Sequence, residues 1–369
     1  MVSDMGKTDL TTGNPFTSLL KFAVPVILGN LFQLFYTLAD SVIVGKMLDS
    51  DALAAVGSTS IIIYFVFCFI NGFTGGFGIC LGQAFGAKDE SGMRKSIAVS
   101  IILCIFFTVI LTLICGLFSH IFITLMKIPD DISKDAYSYM FVVLIGTGAT
   151  VFYNMVSNIL RALGDSKTPL YFLIFSSVLN ILLDILFIIP FKMGVAGAAW
   201  ATILSQFLSA LLSLFMGLKK FEILHLHRAD FKNLKKAMIK HLKTGFPMGF
   251  QMSVMCIGII VLRHPIVRLF LTEPSHAIYH YSDMYLTVVA PFYFILGLLA
   301  VYRTTIQSMQ NGRAPFIACI IELVMRLAAT LGLSGIIGYT SVCIASPLAW
   351  FGACAFLIPC YYTMIKKTR

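Results

Sequence analysis

Apolar runs of about 20 residues or more recur along the chain near 16–40, 52–80, 95–118, 136–160, 170–191, 194–218, 240–262, 283–308, 315–335 and 339–363. A run of that length matches the hydrocarbon thickness of a bilayer when it is helical. The chain is 58% hydrophobic and 12% charged, where a soluble domain has roughly half and a quarter. The reading is an all-α polytopic membrane protein. Met1 to Pro15 is polar and unlike a cleavable signal, so the first run, from Phe16, reads as a retained helix. The nine cysteines lie scattered in apolar runs without metal-ligand or redox spacing, and they read as small hydrophobes.

The formal charge of +10 is concentrated rather than spread. Lys219, Lys220, Arg228, Lys232, Lys235, Lys236, Lys240 and Lys243 face only Glu222 and Asp230 in the same stretch. Apolar runs flank it on both sides, which identifies a cytoplasmic loop and argues against a nucleic-acid partner. Placing it inside puts both termini inside as well, together with Lys88, Arg94, Lys95, Arg161, Lys167 and Arg313. The localisation expected is multi-pass, in the cell (inner) membrane.

The two halves echo one another. Leu20-Lys21-Phe22-Ala23-Val24-Pro25 returns as Leu242-Lys243-Thr244-Gly245-Phe246-Pro247, and Leu163-Gly164-Asp165-Ser166-Lys167-Thr168-Pro169 returns as Met309-Gln310-Asn311-Gly312-Arg313-Ala314-Pro315. The offsets, 222 and 146 residues, leave the second half short by about 76. The gap falls between Leu262 and Arg263, where counterparts of the second and third runs are missing. An even number of spans per half makes the repeats parallel. The expected organisation is an N-lobe over 1–218 with six spans, a basic linker over 219–239, and a truncated C-lobe over 240–369 with about four, so 6 + 4 helices.

An aspartate at the centre of a spanning helix costs about 2.5–3.5 kcal/mol on insertion scales, so Asp40 and Asp184 are functional by default. Asn30, Gln33, Thr37 and Asp40 share one face of the first span, and Ser176, Ser177, Asn180 and Asp184 one face of the fifth. Thr202, Ser205, Ser209 and Ser213 form a milder stripe on the sixth, since hydroxyls can bond back to their own helix. Asp40, Asn180, Asp184 and Thr202 would offer carboxylate, amide and hydroxyl oxygens, suited to a hard cation or to carboxyls that exchange a proton. Low dielectric disfavours a lone charge, which is the condition for a proton carrier, and two neighbouring carboxyls would titrate as a pair. Glu322 and Arg326, at i,i+4, can neutralise each other or form a coupling site. Tyr36, Asn154, Asn158, Arg161 and Gln251 are further cavity-lining candidates, and Pro25 and Pro247 should kink their spans. No nucleophile–base set, zinc motif or phosphate loop is present; Thr74-Gly75-Gly76-Phe77-Gly78 has no Lys-Ser/Thr after it. An enzyme is not expected, and energy should come from an ion gradient.

Asn14-Pro15-Phe16, Phe35-Tyr36-Thr37-Leu38-Ala39-Asp40, Leu163-Gly164-Asp165-Ser166-Lys167-Thr168-Pro169 and Asn180-Ile181-Leu182-Leu183-Asp184, with six-span halves and a central basic loop, resemble the MATE (multidrug and toxic compound extrusion) family over nearly the whole chain. The resemblance implies two lobes that rock between inward- and outward-facing states and exchange organic, often cationic compounds for sodium ions or protons. Asp40, Asn180, Asp184 and Thr202 match the N-lobe cation site of its prokaryotic DinF-like branch, and Tyr36 a neighbouring position. The departure is the missing C-lobe hairpin: MATE proteins have twelve spans. The expected function is therefore ion-coupled (Na+ or H+) antiport exporting organic, cationic, drug-like compounds. The partners are a small organic substrate, the coupling ion and the lipid bilayer, with no cofactor beyond a bound Na+. The alternatives are a non-transporting deletion variant that keeps the fold and ion site, and a lipid-linked oligosaccharide flippase, for which more cationic residues along the cavity would be expected.

Overall fold

The computed structural model describes residues 15–126, 128–270, 284–285, 288–309 and 311–368. It divides into two compact units, Met1–Leu242 and Lys243–Arg369. Secondary structure among the described residues is helical throughout.

The first unit holds α1 (Pro15–Met47), α2 (Ser50–Gly86), α3 (Glu90–Leu125), α4 (Asp130–Ile145), α5 (Thr147–Ala162), α6 (Lys167–Ile188) and α7 (Gly194–Lys220). α8 (Lys235–Phe270) begins in it, and the second unit adds α9 (Tyr293–Ser308), α10 (Arg313–Ile337) and α11 (Thr340–Thr368). Among the described residues six helices are long and apolar enough to cross a membrane singly, and the bent pair α4–α5 makes a seventh. α9 covers only the later part of the run expected at 283–308, whose beginning lies largely outside the described residues. Side chains such as Leu117 (77% exposed), Leu331 (75%) and Ile336 (79%) point outward, as a lipid-facing surface requires and a water-facing one of this extent does not.

Helix ends follow local chemistry. Asp49 Oδ1 accepts from Ala52 N at 2.7 Å to start α2, and Asp89 Oδ1 from Gly92 N at 2.9 Å to start α3. Leu163–Pro169 works as a stop and a start in succession. Gly164 takes φ +87° and Asp165 N bonds back to Leu160 O, closing α5. Asp165 then caps α6, and Pro169 falls in the first turn, where no helical bond is lost. Pro25 lies inside α1 without ending it, and Pro247 likewise inside α8.

The span expected to be continuous over 136–160 is broken. α4 and α5 meet at 42° across Gly146, which serves as the end of one and the cap of the next. A Cβ at Gly146 would run into the side chain of Ile203 on α7, so the break also lets α7 approach. α1 packs on α6, with Gly29 against Leu170 and Leu173, and α6 packs tightly on α7 with Gly197 against Phe187. Small residues permit such close crossings where lipid supplies no hydrophobic drive between helices.

The basic segment between α7 and α8 is folded onto the first unit. Its 3-10 turns, Glu222–Leu224 and Arg228–Phe231, pack on α3. Phe221 and Leu224 are buried with Leu81, Met93, Ile97 and Leu160, and Arg94 Nη1 donates to His225 O at 2.5 Å. His241, 1% exposed, holds the start of α8 with one ring nitrogen 2.9 Å from Ser96 Oγ and the other 2.8 Å from Ala237 O. The described cysteines form no disulfide with one another and are mostly buried.

Candidate functional site

The polar stripes of α1, α6 and α7 converge within the first unit. A helix with 3.6 residues per turn brings Tyr36 and Asp40 to one face of α1 and Ser176, Asn180 and Asp184 to one face of α6. Packing of α1 on α6 and of α6 on α7 then sets those faces against Thr202. Asn180 and Asp184 are fully buried. The carboxyl groups of Asp40 and Asp184 lie close enough to interact electrostatically, and two ionised carboxylates so placed repel each other unless a proton or a cation joins them. Oδ1 of each is buried and has no hydrogen-bond partner among the described residues.

Thr202 ties the three helices together. Its hydroxyl donates to Ala198 O at 3.1 Å and accepts from Tyr36 Oη at 3.3 Å. The Asn180 amide fits in two orientations. In one its nitrogen donates to Thr202 Oγ1 at 3.4 Å, leaving its oxygen facing the Asp184 carboxylate. In the other the nitrogen donates to Asp184 Oδ2 at 3.2 Å and the oxygen accepts from Thr202 N at 3.3 Å. The first orientation is an acceptor facing an acceptor, the arrangement a bound cation resolves; the second needs no cation. Of the serines in the α7 stripe, Ser205 bonds back to its own helix at Thr202 O (3.0 Å), Ser209 donates across to Phe172 O of α6 at 2.7 Å, and Ser213 Oγ is buried without a hydrogen-bond partner among the described residues.

Tyr139, on α4, interacts electrostatically with Asp40, Tyr36 and Asp184. It had no signal in the sequence, being one tyrosine on a helix without a polar stripe. Gln33 is exposed on α1, one turn before Tyr36. The side chains of Asn30 and Thr37 lie outside the described residues.

The other candidates in the first unit sit on α5, apart from these contacts. Asn154 Nδ2 donates to Thr150 O at 2.9 Å, Thr150 Oγ1 donates to Gln206 Oε1 at 2.9 Å, and Asn158 Nδ2 donates to Thr74 Oγ1 at 3.1 Å. These bonds join α5 to α7 and α2. Arg161 interacts with Tyr153. A separate cavity of about 450 Å³ lies between α3 and α5, walled by apolar side chains such as Ile101, Cys104, Phe152 and Met155.

Gln251, Glu322 and Arg326 belong to the second unit. Gln251 accepts from Gln307 Nε2 at 2.8 Å. Glu322 pairs with Arg303 of α9 through Oε1 and, at 3.6 Å, with Arg326 through Oε2. The same-helix partner was legible at i,i+4, whereas Arg303 comes from another helix.

Comparison with known proteins was decided by the family profile: that of MatE matches residues 25–186 and 192–331. This chain belongs to the MatE family. Its members are membrane transporters rather than enzymes. The chain is 36% identical over 258 residues to the probable multidrug resistance protein YpnP of Bacillus subtilis (strain 168), covering 69% of this chain and 57% of that protein. It is 28% identical over 248 residues to the probable multidrug resistance protein NorM of Thermotoga maritima, covering 66% and 53%. The chain thus spans little more than half the length of these curated relatives. Its fold matches the outward-facing structure of a multidrug resistance MATE family transporter of the MOP superfamily with a TM-score of 0.84, at 20% identity, over 100% of this chain and 99% of that one.

Proposed function

We propose that this MatE-family chain is an ion-coupled antiporter, exporting organic cations in exchange for Na+ or H+ taken up at Asp40 and Asp184, with both termini on the cytoplasmic side of the cell membrane. The observation that carries the reading is the surplus of acceptors at the α1–α6–α7 junction, where Oδ1 of both aspartates is buried without a partner among the described residues. A proton or a bound cation satisfies such a set. A sodium ion, as cargo, would be held by Asp40, Asp184, Asn180 and Thr202; a proton would sit on the carboxyl pair. Either occupant favours α1 and α6 drawn together, and repulsion between the two empty carboxylates favours them apart. An ion shifts a conformational equilibrium only by its difference in affinity for the two states, and this junction supplies such a difference. The relatives' names as probable multidrug resistance proteins support drug-like organic compounds as the other cargo.

The reading is tested in proteoliposomes containing the 369-residue chain, loaded with a fluorescent organic cation under an imposed sodium or proton gradient. Movement that follows one gradient and stops when it is collapsed supports antiport and names the ion. No movement from folded protein that still binds the ion would favour the non-transporting reading, in which a chain with a shortened second half keeps the fold and the ion site of the first.

A further inference from the structure

The cavity of about 450 Å³ between α3 and α5 shares no lining residue with the Asp40–Asp184 junction. Its walls are hydrocarbon apart from the Cys104 thiol and the Thr108 hydroxyl. A site for a drug-sized solute carries several converging polar groups that fix its ligand, and apolar walls offer water too few partners to hold it. These walls suit a flexible hydrocarbon chain.

The position of the cavity says where such a chain comes from. Ile105 and Val109 stand at its rim, 62% and 53% exposed on the outer face of α3, whereas Ile97, Cys104, Val151 and Leu160 behind them are buried. The cavity is therefore a groove that opens sideways, towards lipid. Along α3 it runs from Ile97 to Val109, about 18 Å at 1.5 Å per residue. One leaflet of a bilayer with a hydrocarbon core about 30 Å thick is about 15 Å deep. The groove is closed near the middle of α3, where a Cβ on Gly148 would lie 3.0 Å from Thr108 Cγ2. Its length and its blind end match a single acyl chain of one leaflet.

The other end lies beside charge. Arg94 falls one turn before Ile97 and on the same face of α3, and the 3-10 turns of the basic segment pack on that helix, with Leu224 in the groove wall. Lys219 to Lys240 brings seven basic residues against Glu222 and Asp230, and α3 adds Arg94 and Lys95 against Asp89 and Glu90. Lys220 is engaged with Asp165, so the balance at this end is positive with every one of these acids counted. Arg94 Nη1 donates to His225 O at 2.5 Å, one of the five N–H donors a guanidinium carries.

We propose that this groove holds one acyl chain of an anionic phospholipid, drawn from the leaflet on the side of the basic segment, with the headgroup phosphate at Arg94. The site stands independently of the coupling role assigned to Asp40 and Asp184.

The test is native mass spectrometry of the full chain in detergent micelles supplied with equal amounts of dipalmitoyl phosphatidylglycerol and dipalmitoyl phosphatidylcholine. The expected result is one retained lipid per chain, with phosphatidylglycerol favoured about fivefold or more. Ile101→Trp fills the groove and should cut retention about tenfold, the equivalent of a few methylene groups displaced. Leu117→Trp, on the exposed face of α3 beyond the groove, should leave retention unchanged. Arg94→Gln should remove the preference for phosphatidylglycerol and spare the retention of phosphatidylcholine. If Ile101→Trp does not fold, chain length decides with the wild type, which should retain dipalmitoyl over dioctanoyl phosphatidylglycerol. No retained lipid, equal retention of the two headgroups by the wild type, equal losses in Ile101→Trp and Leu117→Trp, or indifference to chain length overturns the proposal.

Discussion

Asp165 offers a sharp test of the fold around the site, because its contacts can be removed in steps. It is 1% exposed and accepts four hydrogen bonds: from Lys167 N at 3.1 Å, Thr168 N at 2.9 Å, Thr168 Oγ1 at 2.6 Å and Lys220 Nζ at 3.1 Å. The first two cap α6, the helix that carries Asn180 and Asp184; the last ties it to the end of α7. Asp165→Ala loses all of them. Uncapping costs about 1 kcal/mol, and the Thr168 hydroxyl, which loses its acceptor while still accepting from Lys220 Nζ at 2.7 Å, adds up to about another. The Lys220 pair adds at most about 1 kcal/mol, since the Lys220 side chain is 31% exposed and partly screened. The sum is about 2–3 kcal/mol. Asp165→Asn keeps Oδ1 as acceptor for the two backbone N–H groups but loses the charge and turns Oδ2, the acceptor of Thr168 Oγ1 and Lys220 Nζ, into a donor, so it should cost about 1–2 kcal/mol. Unfolding of the purified proteins in matched lipid nanodiscs should rank wild type above Asp165→Asn above Asp165→Ala. An Asp165→Ala protein as stable as wild type, or less damaged than Asp165→Asn, would refute the capping argument.

Asp40→Asn and Asp184→Asn should each abolish gradient-driven efflux with expression near wild type, measured in the proteoliposome assay; gradient-dependent transport retained by both would remove the coupling role. Thr202→Val keeps shape but takes away the acceptor of Tyr36 Oη, so apparent affinity for the coupling ion should fall by up to about tenfold, the equivalent of one hydrogen bond, read from the ion dependence of transport. Gly146→Ala places a methyl group against Ile203 and should destabilise the protein by about 1–3 kcal/mol. Ile203→Ala in the same protein should recover part of that loss, whereas simple additivity in thermal unfolding would count against contact at the α4–α5 break.

How much of the site was readable in advance depended on how far apart its parts lie along the chain. Asp40 and Asp184 stand out because a bilayer makes intramembrane carboxylates expensive, and Asn180 follows because a helix repeats its face every three to four residues. Those are local rules, and they also bring out the Glu322–Arg326 pair. Tyr139, Arg303 and the Lys220 contact to Asp165 obey no local rule. Each depends on which helix faces which, and a lone tyrosine, arginine or lysine in the sequence carries no mark of its neighbour. The break at Gly146 was hidden for a similar reason: glycine is common inside membrane helices, and only the close approach of Ile203 shows why this one cannot carry a side chain.

The sequence by itself determined that this chain is helical and membrane-spanning, and which residues are too costly to be idle. The cause is one-dimensional: bilayer thickness, helical period and the cost of burying charge act on consecutive residues. Tertiary structure alone decided that the basic stretch after α7 folds back on α3, that the two carboxyls meet beside Thr202, and that two guanidiniums crowd one carboxylate in the second unit. These are outcomes of packing between residues remote in sequence, set by where small side chains allow helices to approach.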